Sequence, residues 1–209
     1  MEKNYLTREK NYLTKEEAAK ILTIPGNVKG TIILTNLEYL KKKGGEEALK
    51  KLKERIKELE IPIDLENVKH ANMYPEAISV LIILLIKEIL NLNENDIFEM
   101  GGAAMKLSPV TKILTKFFLS FEVVLKKASE YWKEYFDFGE LEIVDYDKEK
   151  KYTIIRLKGY KFHPLLCIYH AGYFYQVAKM ALGSPKIIVK ETKCTFRGDP
   201  FDEFYFSWE

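Results

Sequence analysis

The apolar residues of this 209-residue chain change their spacing once, near Gly139. Before that position they recur at intervals of three and four, which is typical of amphipathic helices. After it, β-branched and aromatic residues predict one hairpin over residues 141–157 and a second over residues 186–208. Between the hairpins, Pro164 and Gly183 mark the start and end of a helix over residues 163–182. Runs of helices followed by antiparallel strands belong to the α+β class. We therefore expect an N-terminal helical half packed on a four-stranded antiparallel sheet, with a helix crossing between the two hairpins.

The first 26 residues are expected to form an extension with one short helix. Thr14 and Glu17 have the spacing of a capping box, in which each side chain accepts a hydrogen bond from the backbone N–H of the other residue. Residues 24–27 read Ile-Pro-Gly-Asn and end that helix. We therefore predict a boundary here, with residues 1–26 as the extension and residues 27–209 as a single ligand-binding domain.

The most apolar segment of the chain, Val80 to Ile86, is too short to cross a bilayer. Lys87 and Glu88 follow it directly, whereas a spanning helix needs about 20 consecutive apolar residues. The segment is predicted to be a buried core helix, for which Pro75 is a favourable first residue. No membrane span is expected, and the N-terminus shows no apolar leader of the kind that directs secretion.

Charge and cysteine content exclude several classes of protein. Lys and Arg number 33 against 31 Asp and Glu, which gives a net charge of +2. A dedicated nucleic-acid-binding protein would carry a basic excess or a clustered basic face. Two cysteines cannot form the disulfide framework of a small secreted protein. We therefore expect a reduced, cytoplasmic setting, without nucleic acid as a partner.

No enzymatic signature stands out in the sequence. Gly101 and Gly102 lie within a predicted helix without the Lys-Ser pair of a phosphate loop, and no Ser-centred nucleophile elbow occurs. Nothing in the sequence places a base beside Cys167 or Cys194. We expect a protein without catalytic activity.

Aromatic residues crowd two of the predicted helices and support two functional hypotheses. One cluster, Tyr131 to Phe138, ends the long helix before the sheet, and the other, Tyr169 to Tyr175, lies on the helix between the hairpins. Aromatic walls with a few polar groups are typical of small-molecule pockets, although core packing gives the same pattern. The favoured hypothesis is a sensor or carrier domain that holds an apolar or aromatic molecule between helices and sheet. The alternative is a protein–protein interaction module with a filled core that acts as a dimer.

Three further observations bear on these hypotheses. A cavity of roughly 300 Å³ or more would favour ligand binding over the interaction module. An apolar stripe on an otherwise charged helix must be covered, either by a second copy in a homodimer or by the chain's own sheet. The stripe consists of Leu49, Leu52, Ile56 and Leu59. No DNA-binding or ATPase segment accompanies the domain, so any effector in signalling is expected to be a separate protein.

The last third of the chain carries the features by which it resembles a known family. These are, in order, Cys167 in a helix with Ala171 and Gly172, then Glu191 followed by Lys193 and Cys194, then Gly198-Asp199-Pro200 and Phe204. This order resembles the closing signature of the 4-vinyl-reductase domain family over roughly residues 139–206. The resemblance implies one unit with a ligand cavity between helices and sheet. It also implies a fold related to the haem nitric-oxide-binding domains and to transport-protein-particle subunits. Many members are sensor inputs, and some bind phenolic compounds.

The resemblance also implies a metal site on the tail. Members that sense phenols hold zinc with three Cys and one Glu, and the corresponding positions here are Cys167, Glu191, Cys194 and Asp202. Asp202 stands where the family has its third Cys. Two thiolates and two carboxylates can still surround zinc tetrahedrally, but the loss of one soft ligand lowers affinity and selectivity. Zinc at these four residues is therefore the metal prediction, and two buried hydrophobic cysteines are the alternative.

Histidine spacing suggests a rival metal cluster. His163, Cys167 and His170 are four and three residues apart, which places them on one face of a regular helix. His163 precedes Pro164, however, and is expected at the helix start, where its side chain need not join that face.

Haem is not expected as a cofactor. By resemblance, the haem-binding relatives need an axial His on the long helix before the sheet, and residues 108–136 contain none. Those relatives also hold the haem propionates with a Tyr, a Ser and an Arg spaced two apart, and residues 154–160 lack that pattern.

Overall fold

The computed structural model describes residues 12–107, 120–184 and 186–209. Within these ranges the helices are α1 (Lys15–Leu22), α2 (Gly30–Glu58), α3 (Glu76–Leu90), α4 (Glu94–Leu107), α5 (Phe121–Tyr135) and α6 (Leu165–Leu182). The strands are β1 (Asn27–Lys29), β2 (Met73–Pro75), β3 (Glu140–Asp147), β4 (Tyr152–Lys158), β5 (Ile187–Lys193) and β6 (Asp202–Trp208).

Four strands form one antiparallel sheet in the order β3-β4-β6-β5. The two predicted hairpins supply β3 with β4 and β5 with β6, and the pairing of β4 with β6 joins them. Helix α6 connects the hairpins along the chain, as expected, so the α+β class is confirmed. Part of the long helix predicted over residues 108–136 lies outside the described residues, and its second part forms α5.

A second, small sheet pairs two segments that the sequence marks only as breaks. Strand β1 pairs with β2 in antiparallel register, with Asn27 opposite Pro75 and Lys29 opposite Met73. Each strand runs directly into a helix, β1 into α2 and β2 into α3. The pairing therefore sets the starts of α2 and α3 side by side.

Helix α3 forms the centre of the hydrophobic core. Every residue from Glu76 to Ile86 is buried, as expected of a helix that is apolar on all sides. Pro75 precedes this helix as its N-cap instead of beginning it. The prediction of a buried core helix is confirmed, and no helix in the described ranges is long and apolar enough to cross a membrane.

The chain itself covers the apolar stripe of α2. Leu52, Ile56 and Leu59 are buried, and Leu49 packs against the same core. Helix α3 is the main neighbour of α2 in this core. A homodimer is therefore not needed to cover the stripe.

Helix α1 begins with the predicted capping box and packs on the core. Thr14 Oγ1 accepts a hydrogen bond from the Glu17 N–H at 3.2 Å, and Glu17 Oε2 accepts one from the Thr14 N–H at 2.8 Å. Arg55 of α2 holds the segment before it, donating to Glu88 Oε1 at 2.8 Å and to the Leu13 carbonyl at 2.8 Å. A domain boundary at residue 26 stays a prediction.

Helices α4 and α6 cross in backbone contact, and glycines make this approach possible. A Cβ atom on Gly101 would collide with the carbonyl oxygen of Tyr169. A Cβ atom on Gly172 would collide in the same way with the carbonyl oxygen of Phe98. The contact fixes α6 against the helical half, and α6 carries residues of both candidate sites described below.

Replacing Gly101 by Ala is expected to lower the free energy of unfolding by about 2–3 kcal/mol, because the added methyl group overpacks two touching backbones. Gly102→Ala is the matched control. Its Cβ would lie 3.5 Å from the nearest atom, the Gly172 carbonyl oxygen, and Ala favours a helix over Gly by up to ~1 kcal/mol. Urea unfolding of both variants measures the difference, and equal stabilities would contradict the backbone contact.

Candidate functional site

A cavity lies between the helical half and the sheet. Its volume is about 130 Å³, which falls short of the roughly 300 Å³ at which the volume alone would favour ligand binding over an interaction module. It is close, however, to the roughly 150 Å³ of an engineered apolar cavity that binds benzene. The aromatic part of its wall includes Tyr131, Trp132, Tyr160, Tyr169, Phe174 and Phe206. The cavity therefore has the size and lining for a molecule with one ring.

Glu76 places a carboxyl group in this apolar wall. It is the first residue of α3 and only 2% exposed. Its Oε1 accepts a hydrogen bond at 2.5 Å from the hydroxyl of Tyr160, which follows β4. Burial raises the pKa of Glu76 to about 8, against the lowering effects of the Tyr160 hydrogen bond and of the nearby Ser79 hydroxyl. The carboxyl group therefore keeps its proton at neutral pH.

His170 of α6 also faces the cavity. Its ring lies edge-on to Tyr160 with centroids 4.7 Å apart, and Trp132 and Phe174 are further ring neighbours. Burial lowers the pKa of His170 to about 3. The imidazole is therefore neutral at physiological pH and has a nitrogen lone pair available to a ligand.

The four residues predicted to bind metal come together at one end of α6. The ligand atoms of Cys167, Glu191, Cys194 and Asp202 all lie within 4.8 Å of one another. The two sulfur atoms are 3.8 Å apart. Two thiolates at the usual Zn–S distance of about 2.3 Å are separated by about 3.8 Å in a tetrahedral site. The distance between the two sulfur atoms therefore matches that of two thiolate ligands in a tetrahedral site.

Hydrogen bonds orient the carboxylates of this metal cluster. Asp202 Oδ1 accepts from the backbone N–H and the hydroxyl of Thr195, at 2.7 and 3.0 Å, which leaves Oδ2 for another partner. Glu191 pairs through Oε2 with Arg197 at 3.0 Å, while its buried Oε1 has no conventional hydrogen-bond donor among the described residues. Burial, and then the neighbouring Asp202 and Glu191, raise the pKa of Cys167. A cation would relieve this crowding of acidic groups.

The rival cluster suggested by histidine spacing is not assembled. His163 caps α6, since its Nδ1 accepts the Leu165 N–H at 3.1 Å. His170 faces the cavity, and Cys167 faces the metal cluster. Within the described ranges the only group of three or more potential metal ligands is the metal cluster itself.

Sequence reasoning did not identify the polar groups of the cavity. Glu76 looks like an ordinary acidic residue in the first turn of a helix, and Tyr160 lies in a connection between elements. One signal was present, because Glu76 is a charged residue that opens an otherwise apolar helix. An exposed first turn explains the same pattern, so only the tertiary structure shows that this carboxyl group is buried.

Comparison with known proteins gives a structural answer only, since no family model and no curated protein matches the sequence. A crystal structure of an H-NOX protein from Shewanella oneidensis in the Fe(II)NO ligation state matches with a TM-score of 0.65 and 16% identity, over 87% of this chain and 99% of that one. This chain has the H-NOX fold. An NMR structure of an H-NOX domain from the same organism, in the Fe(II)CO state, gives a TM-score of 0.65 and 16% identity over 87% and 98% of the two chains. An oxygen-binding H-NOX domain related to soluble guanylate cyclases, in its oxygen complex, matches with a TM-score of 0.59 and 14% identity, over 87% of this chain and 95% of that one. The expected relation to the haem nitric-oxide-binding fold is therefore confirmed, and membership of the 4-vinyl-reductase family stays a prediction.

The expectation that haem is not a cofactor is contradicted by these H-NOX neighbours, whose structures contain Fe(II) ligated by nitric oxide or carbon monoxide. A histidine on the helix before the sheet is not the only possible axial ligand, because His170 lines the cavity from α6. A neutral imidazole there is a suitable iron ligand, so the lack of histidine in residues 108–136 does not exclude haem.

The described residues around the cavity fit a haem only in part. His170 can supply an axial nitrogen, but no Lys or Arg is among the described lining residues to pair with two propionates, and Glu76 adds an acidic group instead. The volume of about 130 Å³ suits one ring and not a macrocycle. This arrangement offers an iron ligand without the other contacts that a haem requires.

The raised pKa of Glu76 predicts a pH-dependent stability. The unfolded chain loses this proton near pH 4.3, whereas the folded protein keeps it up to about pH 8. In this window the unfolded state binds fewer protons, so rising pH lowers the stability by about 1.4 kcal/mol per pH unit. We expect Glu76→Gln to gain stability relative to wild type from pH 5 to pH 8. Above pH 8, the difference in the free energy of unfolding between the two proteins should stay constant.

Urea unfolding of wild type and Glu76→Gln across this range measures the effect. His170 has a lowered pKa and acts in the opposite direction below about pH 6.5, but its contribution cancels in the difference between the two proteins. Glu99→Gln, at an exposed position on α4, should follow the wild type. Parallel stability curves for Glu76→Gln and wild type would contradict the raised pKa.

Proposed function

We propose that this chain is a non-catalytic ligand-binding domain that holds a small apolar or aromatic molecule between its helical half and its sheet. The observation that carries the proposal is the cavity of about 130 Å³ with aromatic walls. Its few polar groups, chiefly Glu76 and His170, suit a ligand held by one or two hydrogen bonds in an apolar pocket. The H-NOX fold supports a sensor role, because one of the H-NOX domains that this chain resembles binds oxygen.

Two features of the sequence add to this proposal. The tail signature resembles the 4-vinyl-reductase domains, many of which are sensor inputs. A signal from such a domain would pass to a separate effector protein. The two free thiols of Cys167 and Cys194 must stay reduced to bind a metal, which supports a cytoplasmic location.

We also propose that the metal cluster holds a zinc ion with a structural role. The four ligand atoms approach one another from α6, from β5 and the residue after it, and from the start of β6. An ion there would tie the second hairpin to α6. Cys167 lies one turn before His170, so the same ion would fix the helix that lines the cavity.

Toluene is expected to bind the wild-type protein with one-to-one stoichiometry, because its single ring matches the cavity. Ala104→Leu should weaken toluene binding at least tenfold by filling the cavity, which Ala104 lines. Ala103→Leu is the matched control, since Ala103 packs against the core and is not part of the cavity wall. Isothermal titration calorimetry measures both affinities.

Native mass spectrometry before and after organic extraction tests the same proposal on the protein as purified. Loss of a small bound mass on extraction supports a resident ligand. No binding of toluene together with a concentration-dependent dimer would instead favour the interaction module.

Dialysis against zinc followed by gel filtration is expected to leave about one zinc per chain, measured by elemental analysis. Glu191→Gln should lower the zinc content. Arg197→Gln is its control, because it removes the ion-pair partner of Glu191 without removing a ligand. Asp202→Cys should raise zinc affinity by adding a third thiolate. Equal and negligible zinc in wild type and Asp202→Cys would remove the metal site from this proposal.

A further inference from the structure

One oxygen of the Glu76 carboxyl group lacks a hydrogen-bond partner. Oε1 accepts from Tyr160, but Oε2 is buried and has no partner among the described residues. Ser79 Oγ, one turn further along α3, is in the same situation. Both residues line the cavity. Buried polar atoms are almost always hydrogen-bonded, so this pair is open to a further hydrogen-bonding group.

The surroundings of Glu76 suit a cation. The rings of Trp132, Tyr169 and Phe174 share the cavity with it, and aromatic faces attract ammonium groups. Among the described lining residues there is no Lys or Arg to pair with the carboxylate. His170 cannot do so either, because burial keeps its imidazole neutral at physiological pH.

We propose that the ligand of this cavity is a single-ring molecule with a primary amine, bound as an ammonium ion by Glu76 Oε2. This inference rests on the proposed function, since it names the ligand class of the same cavity. Ser79 Oγ is placed to accept a second N–H of the ammonium group. A hydroxyl group would leave Glu76 in its protonated form and add only a neutral hydrogen bond, whereas an ammonium ion makes a stronger, charge-assisted hydrogen bond to the carboxylate.

Binding in this manner also moves one proton. The raised pKa keeps the free Glu76 carboxyl group protonated at neutral pH, while the amine is already an ammonium ion in solution. In the complex the carboxylate pairs with the ammonium ion. The proton of Glu76 therefore passes to the buffer, and about one proton is released for each ligand bound.

The experiment compares three probes by isothermal titration calorimetry at pH 6.5. Benzylamine, benzyl alcohol and toluene share one ring and one attached carbon and differ only in the donor group. We expect benzylamine to bind wild type at least tenfold more tightly than either of the others. Titrations in two buffers with different ionisation enthalpies should show release of about one proton with benzylamine and none with toluene.

Glu76→Gln tests the residue. We expect it to weaken benzylamine binding at least tenfold more than it weakens toluene binding, and to abolish proton release. Glu99→Gln makes the same substitution at an exposed position and should bind all three probes like wild type. The wild-type probe series and its proton release decide the question by themselves in the event that Glu76→Gln does not fold.

The outcomes separate this inference from the proposed function. The proposal of an amine ligand would be overturned if benzyl alcohol bound as tightly as benzylamine, or if benzylamine bound without proton release. Tight binding of toluene with no effect of Glu76→Gln on any probe would overturn the role of Glu76 while leaving the cavity as a ligand site. No binding of any of the three probes to wild type would overturn both proposals.

Discussion

The close crossing of α4 and α6 positions both candidate sites. Gly101 and Gly172 let the two backbones touch. This contact fixes the position of α6 against the helical half. One wall of the cavity is formed by α6, which also carries Cys167 of the metal cluster. A side chain at either glycine would separate the helices. The same shift would move the cavity wall and the metal ligand together.

Hydrogen bonds between buried polar side chains also link the two halves of the fold. The hydrogen bond from Tyr160 to Glu76 joins the segment after β4 to the start of α3, and therefore links the sheet to the helical half. A second link runs from the hydroxyl of Tyr169 on α6 to Asn36 Oδ1 on α2 at 3.0 Å. Burying such groups costs free energy unless they are paired. Among the described residues that line the cavity, Glu76 Oε2 and Ser79 Oγ lack such a partner.

The cavity and the metal cluster use successive turns of one helix. Cys167 points to the loop between β5 and β6, and His170, three residues later, points into the cavity. A helix transmits a displacement along its axis because its backbone hydrogen bonds keep it rigid. A metal ion at the cluster would therefore restrain the cavity wall. Because this histidine lies on the cavity wall, the lack of histidine in residues 108–136 does not exclude haem.

The sequence by itself determined the order of elements and the α+β class, because helical and strand periodicities depend on local spacing. It also predicted the four residues of the metal cluster, because the family resemblance of the tail includes Cys167, Glu191 and Cys194 and places Asp202 where the family has its third Cys. The tertiary structure alone decided which of the remaining polar residues face the interior. A carboxyl group in the first turn of a helix has the same local pattern whether water or a second layer lies beside it. Only the tertiary packing around the start of α3, where Tyr160 donates to Glu76, turned this residue into a buried, protonated group in a cavity.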